Sequence, residues 1–429
     1  MKKNKQELIN NLNSTELSAR LKNLRKLKEM IDKGEIKKPE KREDKVNNHI
    51  HTTFSFSPYS PTRAVWEAFK AGLVTAGIMD HDTIKGAEEF IEAGKVMGMA
   101  TTVGMECRCD FSDTPLQGKR INSPDQKSMA YVAIHGVPHT QIEIIQQFFQ
   151  PYREERNKRN VKMIENINQF FSEYNINLDF EKDVIPISEY ENGGTITERH
   201  LLFALGDKLI KKFGKGKKLL DKLQNEFAHV FTPKLKKYLS DPDNEFYQYD
   251  LLGLLKKDTG YFYVKADKEC PDIKVVLKLV NETGAISAYA YLGDIEQSVT
   301  GDKKAQKFED EYLEFLFEVL DDLGFNAITY MPSRNTEKQL QRVKKLCEKR
   351  NFFQISGEDI NSPRQSFICE DLQKEEFKNL VDSTWALIGH EKIATRDINR
   401  GMFSQKTIEK YPELKQRINK FKKAGKNNL

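Results

Sequence analysis

Three short apolar runs in the first quarter of the chain each end in metal-ligand residues. This constrains the fold more than any other feature of the sequence. The runs read VNNHIH over 46–51, GIMDHDT over 77–83 and VGMECR over 103–108. Between them lie segments with helical spacing, predicted over 62–71 and 85–97, the first closed by Gly72. Strands are predicted over 46–51, 74–79 and 100–105. The order βαβαβ implies parallel strands. The ligand-type residues then fall at the C-terminal ends of the strands, where barrel folds place their active sites.

His49 and His51 are two apart on a strand, so both point to one face. If helices cover the outer face, that shared face is the barrel interior, where two imidazoles can bind one ion. Glu106 ends its run after Gly104 and can bridge cations. Asp80 and Asp82 flank His81; one of them can orient a ligand histidine. Asp82 precedes a helix, so helix capping is the preferred reading for it. The chain has eight histidines, and three fall in this window. Imidazole and carboxylate together suit manganese, zinc or iron better than calcium. The chemistry such a set supports is metal-assisted phosphoester hydrolysis.

The rest of the chain frames this stretch. A basic helical extension covers 1–45, with a helix over 5–33 on the spacing of Leu8, Leu12, Leu17, Leu21, Leu24, Leu27 and Ile31. A first barrel part covers 46–140 and includes a buried strand over 129–137. A mostly helical insertion covers 141–281, with a long helix over 141–176 bearing REERNKRN and another over 198–213. A closing barrel part covers 282–372, with strands over 284–291 and 325–330 and a last one reaching Asp359. A helical basic extension covers 373–429. The segments 1–45 and 405–429 each carry a net charge of +6, which leaves −7 between them. Such termini read first as solvated helical extensions and second as contacts for nucleic acid. Five cysteines with no CxxC pair fit reduced thiols in a cytoplasm. No apolar run reaches 18 residues and the N-terminus lacks the apolar stretch of a secretory signal, so no membrane partner is expected.

These motifs resemble those of the polymerase and histidinol phosphatase (PHP) superfamily. HIHTTFSF is similar to its first motif, GIMDHDTIKG to its second, and VGMECR to its bridging-glutamate strand. ITERHLLFAL resembles the RPH motif, which implies His200 as a ligand and Arg199 as a phosphate contact. ISGEDINSP resembles the closing GSDxH motif, which implies Asp359 as a ligand. The resemblance covers about 46–365. It implies an α/β fold, a distorted (β/α)7 PHP-type barrel with a helical insertion and helical N- and C-terminal extensions. The insertion and its REERNKR run look most like the branch that hydrolyses phosphates of nucleotides and RNA 5′ ends.

The sequence also departs from that pattern. Tyr291, Tyr131 and Asn361 stand where histidines are expected, and Ser57 near where an Asp or His is common. His135 shares the face of Tyr131 and is a candidate substitute for it, the less favoured reading beside the loss of that ligand. The resemblance therefore implies a complete first metal position (His49, His51, Glu106, Asp359). It implies a second (Glu106, His200) short of a ligand and a third in which His81 has lost its partner. The metal content expected is one to three divalent ions, manganese, zinc or iron.

The function expected is a cytoplasmic metal-dependent phosphoesterase of the EC 3.1 type, acting on a phosphorylated small molecule, a nucleotide or an oligonucleotide terminal phosphate. Arg199 and Arg364 are the arginines expected at the phosphate, with Arg364 favoured for its closeness in sequence to Asp359. Two alternatives stand beside it. An amidohydrolase-type metal hydrolase would add a bridging lysine and two later histidines. A PHP-like binding or scaffold protein would have lost activity with its histidines.

Overall fold

The computed structural model describes residues 2–40, 44–227, 231–295 and 307–427. Its centre is a seven-stranded mixed sheet in the order β1 to β7. Strands β1 (Val46–Ile50), β2 (Thr75–His81) and β3 (Ala100–Asp110) run parallel, with α3 (Pro61–Lys70) and α4 (Ala87–Met97) as crossovers. The two helices before β1 are α1 (Lys2–Asn10) and α2 (Leu17–Asp32). Strand β4 (Met129–His135) follows a loop and is antiparallel to both neighbours. Strands β5 (Ile286–Ala290), β6 (Ala327–Thr329) and β7 (Phe353–Ile355) are parallel again.

The sheet curls until its edges meet. Ile50 bridges Ile360, with Ile360 N donating to His49 O and His51 N to Ile360 O. Gly357 makes this approach feasible, because a Cβ there would stand 2.6 Å from His49 Cβ. The result is the distorted seven-stranded α/β barrel expected from the sequence, closed by a short seam.

Three apolar clusters organise the chain. The largest lies between the sheet and the outer helices and takes in Val65, Phe69, Met105, Cys107, Tyr289 and Phe317. Leu8, Leu12, Leu24, Leu27 and Ile31 belong to it, so the N-terminal helices are packed on the barrel. The helix expected over 5–33 is broken between α1 and α2 by a turn at Asn11–Asn13, where Asn and Ser compete for backbone groups. Arg20 of α2 pairs with Glu89 of α4 at 2.6 Å, both nearly buried.

A second cluster lies inside the insertion. It joins α5 (Ile142–Phe170), α6 (Glu198–Phe213), α7 (Lys217–Asn225), α8 (Pro233–Ser240) and α9 (Tyr247–Leu255). The following helix α10 (Ile273–Thr283) packs in the main core instead. Outside β5–β7 lie α11 (Leu313–Asp322) and α12 (Glu337–Arg350).

The third cluster closes one end of the barrel. Ala133, Ala288 and Ala327 line the interior there, against Ala386 and Leu387 of α13 (Lys378–Ala394), after which come α14 (Gln405–Lys410) and α15 (Leu414–Lys426). Helices α13 and α15 touch backbone to backbone: a Cβ on Gly389 would lie 1.9 Å from Phe421 O, and one on Gly425 1.9 Å from Trp385 O. Glu391 of α13 accepts from Val103 N at 2.8 Å, which ties this floor to β3. No helix among the described residues is long and apolar enough to cross a membrane.

Candidate metal centre

Alternation along the strands sends His49, His51, His81 and Glu106 to the interior at the open end. Three imidazole nitrogens surround one carboxylate oxygen, Glu106 Oε1: His81 Nδ1 at 3.1 Å, His51 Nε2 at 3.3 Å and His49 Nε2 at 3.6 Å. Asp359 arrives across the seam, with Oδ1 3.2 Å from His51 Nε2. The rings of His51 and His81 are 4.6 Å apart, and those of His49 and His51 5.1 Å. Among the described residues, His49, His51 and Glu106 form the one group of three whose ligand atoms all lie within 4.8 Å of one another.

The electrostatics fit a cation. Burial penalises the charge on Glu106, yet the facing His81, His49 and His51 hold its carboxyl well below the usual range. Asp359 is depressed too, the effect of His51 outweighing burial. Burial alone would lower His51, but the Asp359 and Glu106 carboxylates raise it to about 10. Burial dominates at His81 and lowers it to about 3, despite Glu106. The Nε2 atoms of His49 and His51 are buried and make no well-aligned hydrogen bond. Orphaned imidazole nitrogens converging on two carboxylates are the donor set that divalent zinc, manganese or iron takes.

A supporting layer aims these groups. His51 Nδ1 lies 3.2 Å from Ser55 Oγ, which donates to Asp80 Oδ1 at 2.6 Å. Asp80 also accepts from Thr52 N and Thr52 Oγ1, each at 2.7 Å. It thus orients His51 through a hydroxyl. Asp82 departs from its expected role as a helix cap. Gly86 occupies the cap position of α4 with no side-chain bond. Asp82 instead sits at φ 51° and pairs with Arg156 of α5 at 2.7 Å. It anchors the insertion, a partner that no local pattern could name.

The REERNKRN run turns inward. Arg153, Arg156 and Arg159 recur every three residues on α5 and are all buried. Arg153 donates to Asp82 O at 2.9 Å, Arg156 lies 3.6 Å from Glu269, and Arg159 pairs with Glu198 and Glu269. Arg108 joins them, 3.6 Å from Glu198, donating to Tyr263 Oη at 3.2 Å and lying over the Tyr131 ring. Tyr131 itself stands beside His81, ring centroids 6.1 Å apart. These arginines form a buried, mostly paired cationic wall next to the histidines.

The remaining expected residues scatter. His200 is buried at the start of α6, where its Nδ1 accepts from Thr197 N at 3.0 Å and its ring meets Phe56 edge-on at 4.9 Å. Arg199 donates to Asn361 Oδ1 at 2.8 Å, and Asn361 Nδ2 donates to Asp359 Oδ1 at 2.6 Å. Arg364, the other arginine expected at a phosphate, is engaged with the insertion. It is bidentate to Asp250 at 2.7 and 2.8 Å and stacks on Tyr238, which commits it to α9. Tyr291 points outward, its hydroxyl donating to Asp310 at 2.6 Å. His135 is buried in the interior, and burial lowers it to about 3. His390 is a core histidine whose Nδ1 accepts from Met402 N at 2.9 Å, and His229 lies outside the described residues.

One group went unnoticed in the sequence. Lys256, just after α9, is exposed, and Arg199 above all brings its ammonium down to about 8 against the pull of Asp359 and Glu198. A lone lysine among 69 Lys and Arg carries no pattern that would reveal it.

No family model matches the chain. A stretch of 62 residues is 37% identical to a 5′-3′ exoribonuclease of Haemophilus influenzae, spanning 14% of this chain and 23% of that protein's length. Solved structures similar in shape include the following two. One is an amidohydrolase from Chromobacterium violaceum with bound sulfate and no metal, at 14% identity and a TM-score of 0.50, covering 76% of this chain and 90% of that one. The other is a candidate metal-dependent phosphoesterase from Bifidobacterium adolescentis, at 18% identity and a TM-score of 0.49, covering 80% of this chain and 98% of that one. The likeness to the amidohydrolase is one of fold.

Proposed function

We propose that this chain is a metal-dependent phosphoesterase. The observation that carries the reading is the convergence of three imidazole nitrogens on Glu106 Oε1 with Asp359 alongside. His49, His51 and Glu106 would hold the ion, with His81 and Asp359 at its flanks. When bound, a divalent ion supplies Lewis acidity, which polarises a phosphoryl group and acidifies water. Arg199 is held next to Asp359 and orients the phosphate through charge-assisted bonds. The buried arginine wall makes the neighbourhood favourable to an anion. It also excludes bulk water, which strengthens each of these interactions.

A nucleotide or an oligonucleotide terminal phosphate is the substrate we favour. The short match to an exoribonuclease supports it. Five free, buried cysteines agree with a reducing compartment such as the cytoplasm. The test is metal content after purification, with hydrolysis of an aryl phosphate and of a 5′-phosphorylated oligonucleotide under added manganese. Activity on either substrate that disappears in His49→Ala is the result expected. Less than one equivalent of metal with no turnover would overturn the reading.

A further inference from the structure

We infer that the centre holds a single divalent ion, and that the Arg199 guanidinium acts on the substrate as the second positive charge. This rests on the phosphoesterase reading and adds the stoichiometry of that site. The ligand nitrogens do not divide into two sets: all three address the same oxygen of Glu106, within 3.1–3.6 Å.

Of the side chains that could complete a second set, His200, Asn361, Tyr291 and Tyr131 are already engaged, and His135, whose buried Nε2 has no hydrogen-bond partner, is the one left open among the described residues. His200 spends Nδ1 on the Thr197 backbone, and its ring is covered edge-on by Phe56. Phe56 holds a φ of 98°, a strained value for a bulky residue, and is kept there by packing against Phe203 and Tyr249. Asn361 uses both ends of its amide, accepting from Arg199 and donating to Asp359. Tyr291 faces the helix layer and bonds Asp310. The Tyr131 ring lies 5.4 Å from the Arg108 guanidinium.

Charge balance points the same way. Two carboxylates, Glu106 and Asp359, face the cluster, and one dication neutralises them. Asp82 already pairs with Arg156, and Asp80 is saturated by Thr52 and Ser55. A second dication would find no further unpaired carboxylate among the described residues to compensate it in a largely buried site, which is costly at low dielectric. Arg199 supplies positive charge without that requirement. It is half-buried, and Asn361 is its one hydrogen-bond partner among the described residues. Its remaining donors are free for phosphoryl oxygens.

The experiment titrates the full-length, metal-stripped chain with manganese, followed by calorimetry and electron paramagnetic resonance. One equivalent with the spectrum of isolated ions is expected. Two or more equivalents, or a spin-coupled spectrum, would overturn the inference and leave the phosphoesterase reading intact. No binding would overturn both. Arg199→Met provides a second arm, read as inorganic phosphate binding to the manganese-loaded protein. The variant should keep one equivalent of manganese while phosphate affinity falls about tenfold or more, with partial recovery in Arg199→Lys. Unchanged phosphate affinity in Arg199→Met would remove Arg199 from the proposed role.

Discussion

The two ends of the barrel are built from similar residues and do different things. Both bury histidines and a glutamate. At the floor, Glu391 accepts from Val103 N, His390 accepts from Met402 N, and α13 and α15 seal the opening. At the mouth, His49 and His51 crowd Glu106 with Nε2 atoms that make no well-aligned hydrogen bond. A buried histidine that meets a backbone donor is part of the packing. One whose nitrogen is left facing a carboxylate beside other imidazoles is poised for a ligand. Residue type does not separate the two cases; the partner does.

Substitutions at the two ends should therefore fail differently. The largest effect belongs to the mouth. His51→Ala should lower kcat/KM by on the order of 10³, as removal of a transition-state electrostatic group does, without lowering Tm. A fall in Tm matching the loss of activity would show that His51 is there to pack.

Next comes the rim after β5, where Glu309 accepts from Leu292 N at 3.0 Å and is fully buried. Burial raises its carboxyl from 4.5 to about 7. The folded chain therefore keeps this proton longer than the unfolded chain. The stabilisation is complete below about pH 4.5 and is lost as pH rises through about 7, by about 3 kcal/mol at most. Glu309→Gln should flatten that part of the denaturation profile; an unchanged slope would assign it to other groups.

At the floor, Gly389→Ala should cost about 1–3 kcal/mol by forcing α15 off α13. The folded fraction should keep its full turnover. Reduced turnover at unchanged stability would mean that the floor and the mouth are coupled. The smallest effect tests the support of the ligands: Asp80→Asn should weaken manganese binding by about 10–100-fold through Ser55 and His51. Equal affinity in this variant would confine Asp80 to holding its loop.

What the sequence disclosed follows from the range of each interaction. The alternation that places His49 and His51 on one face is local, and so are the crossovers that bring Glu106 beside them. Both could be read directly. The inward turn of Arg153, Arg156 and Arg159 could not, because their partners Asp82, Glu198 and Glu269 are distant in sequence. A basic run with helical spacing looks the same whether it faces water or a buried carboxylate. Arg364 lies five residues beyond Asp359 in sequence, yet its partners Asp250 and Tyr238 are more than a hundred residues away along the chain. The N-terminal helix was visible in its leucines, but its place in the main core depends on contacts such as Arg20 with Glu89. Because that core would be exposed by truncation, reversing exposed charges on these helices is the test of nucleic-acid binding by the N-terminal segment.

The seam of the barrel carries a consequence for synthesis. His49 and His51 leave the ribosome before Asp359 and Ile360, which follow some three hundred residues later. Contacts of such separation form late, after loop-closure entropy has been overcome. A nascent chain thus presents its histidines long before the opposite edge can enclose them. Held across that edge, an ion would act as a clasp, fastening the first strand to the last.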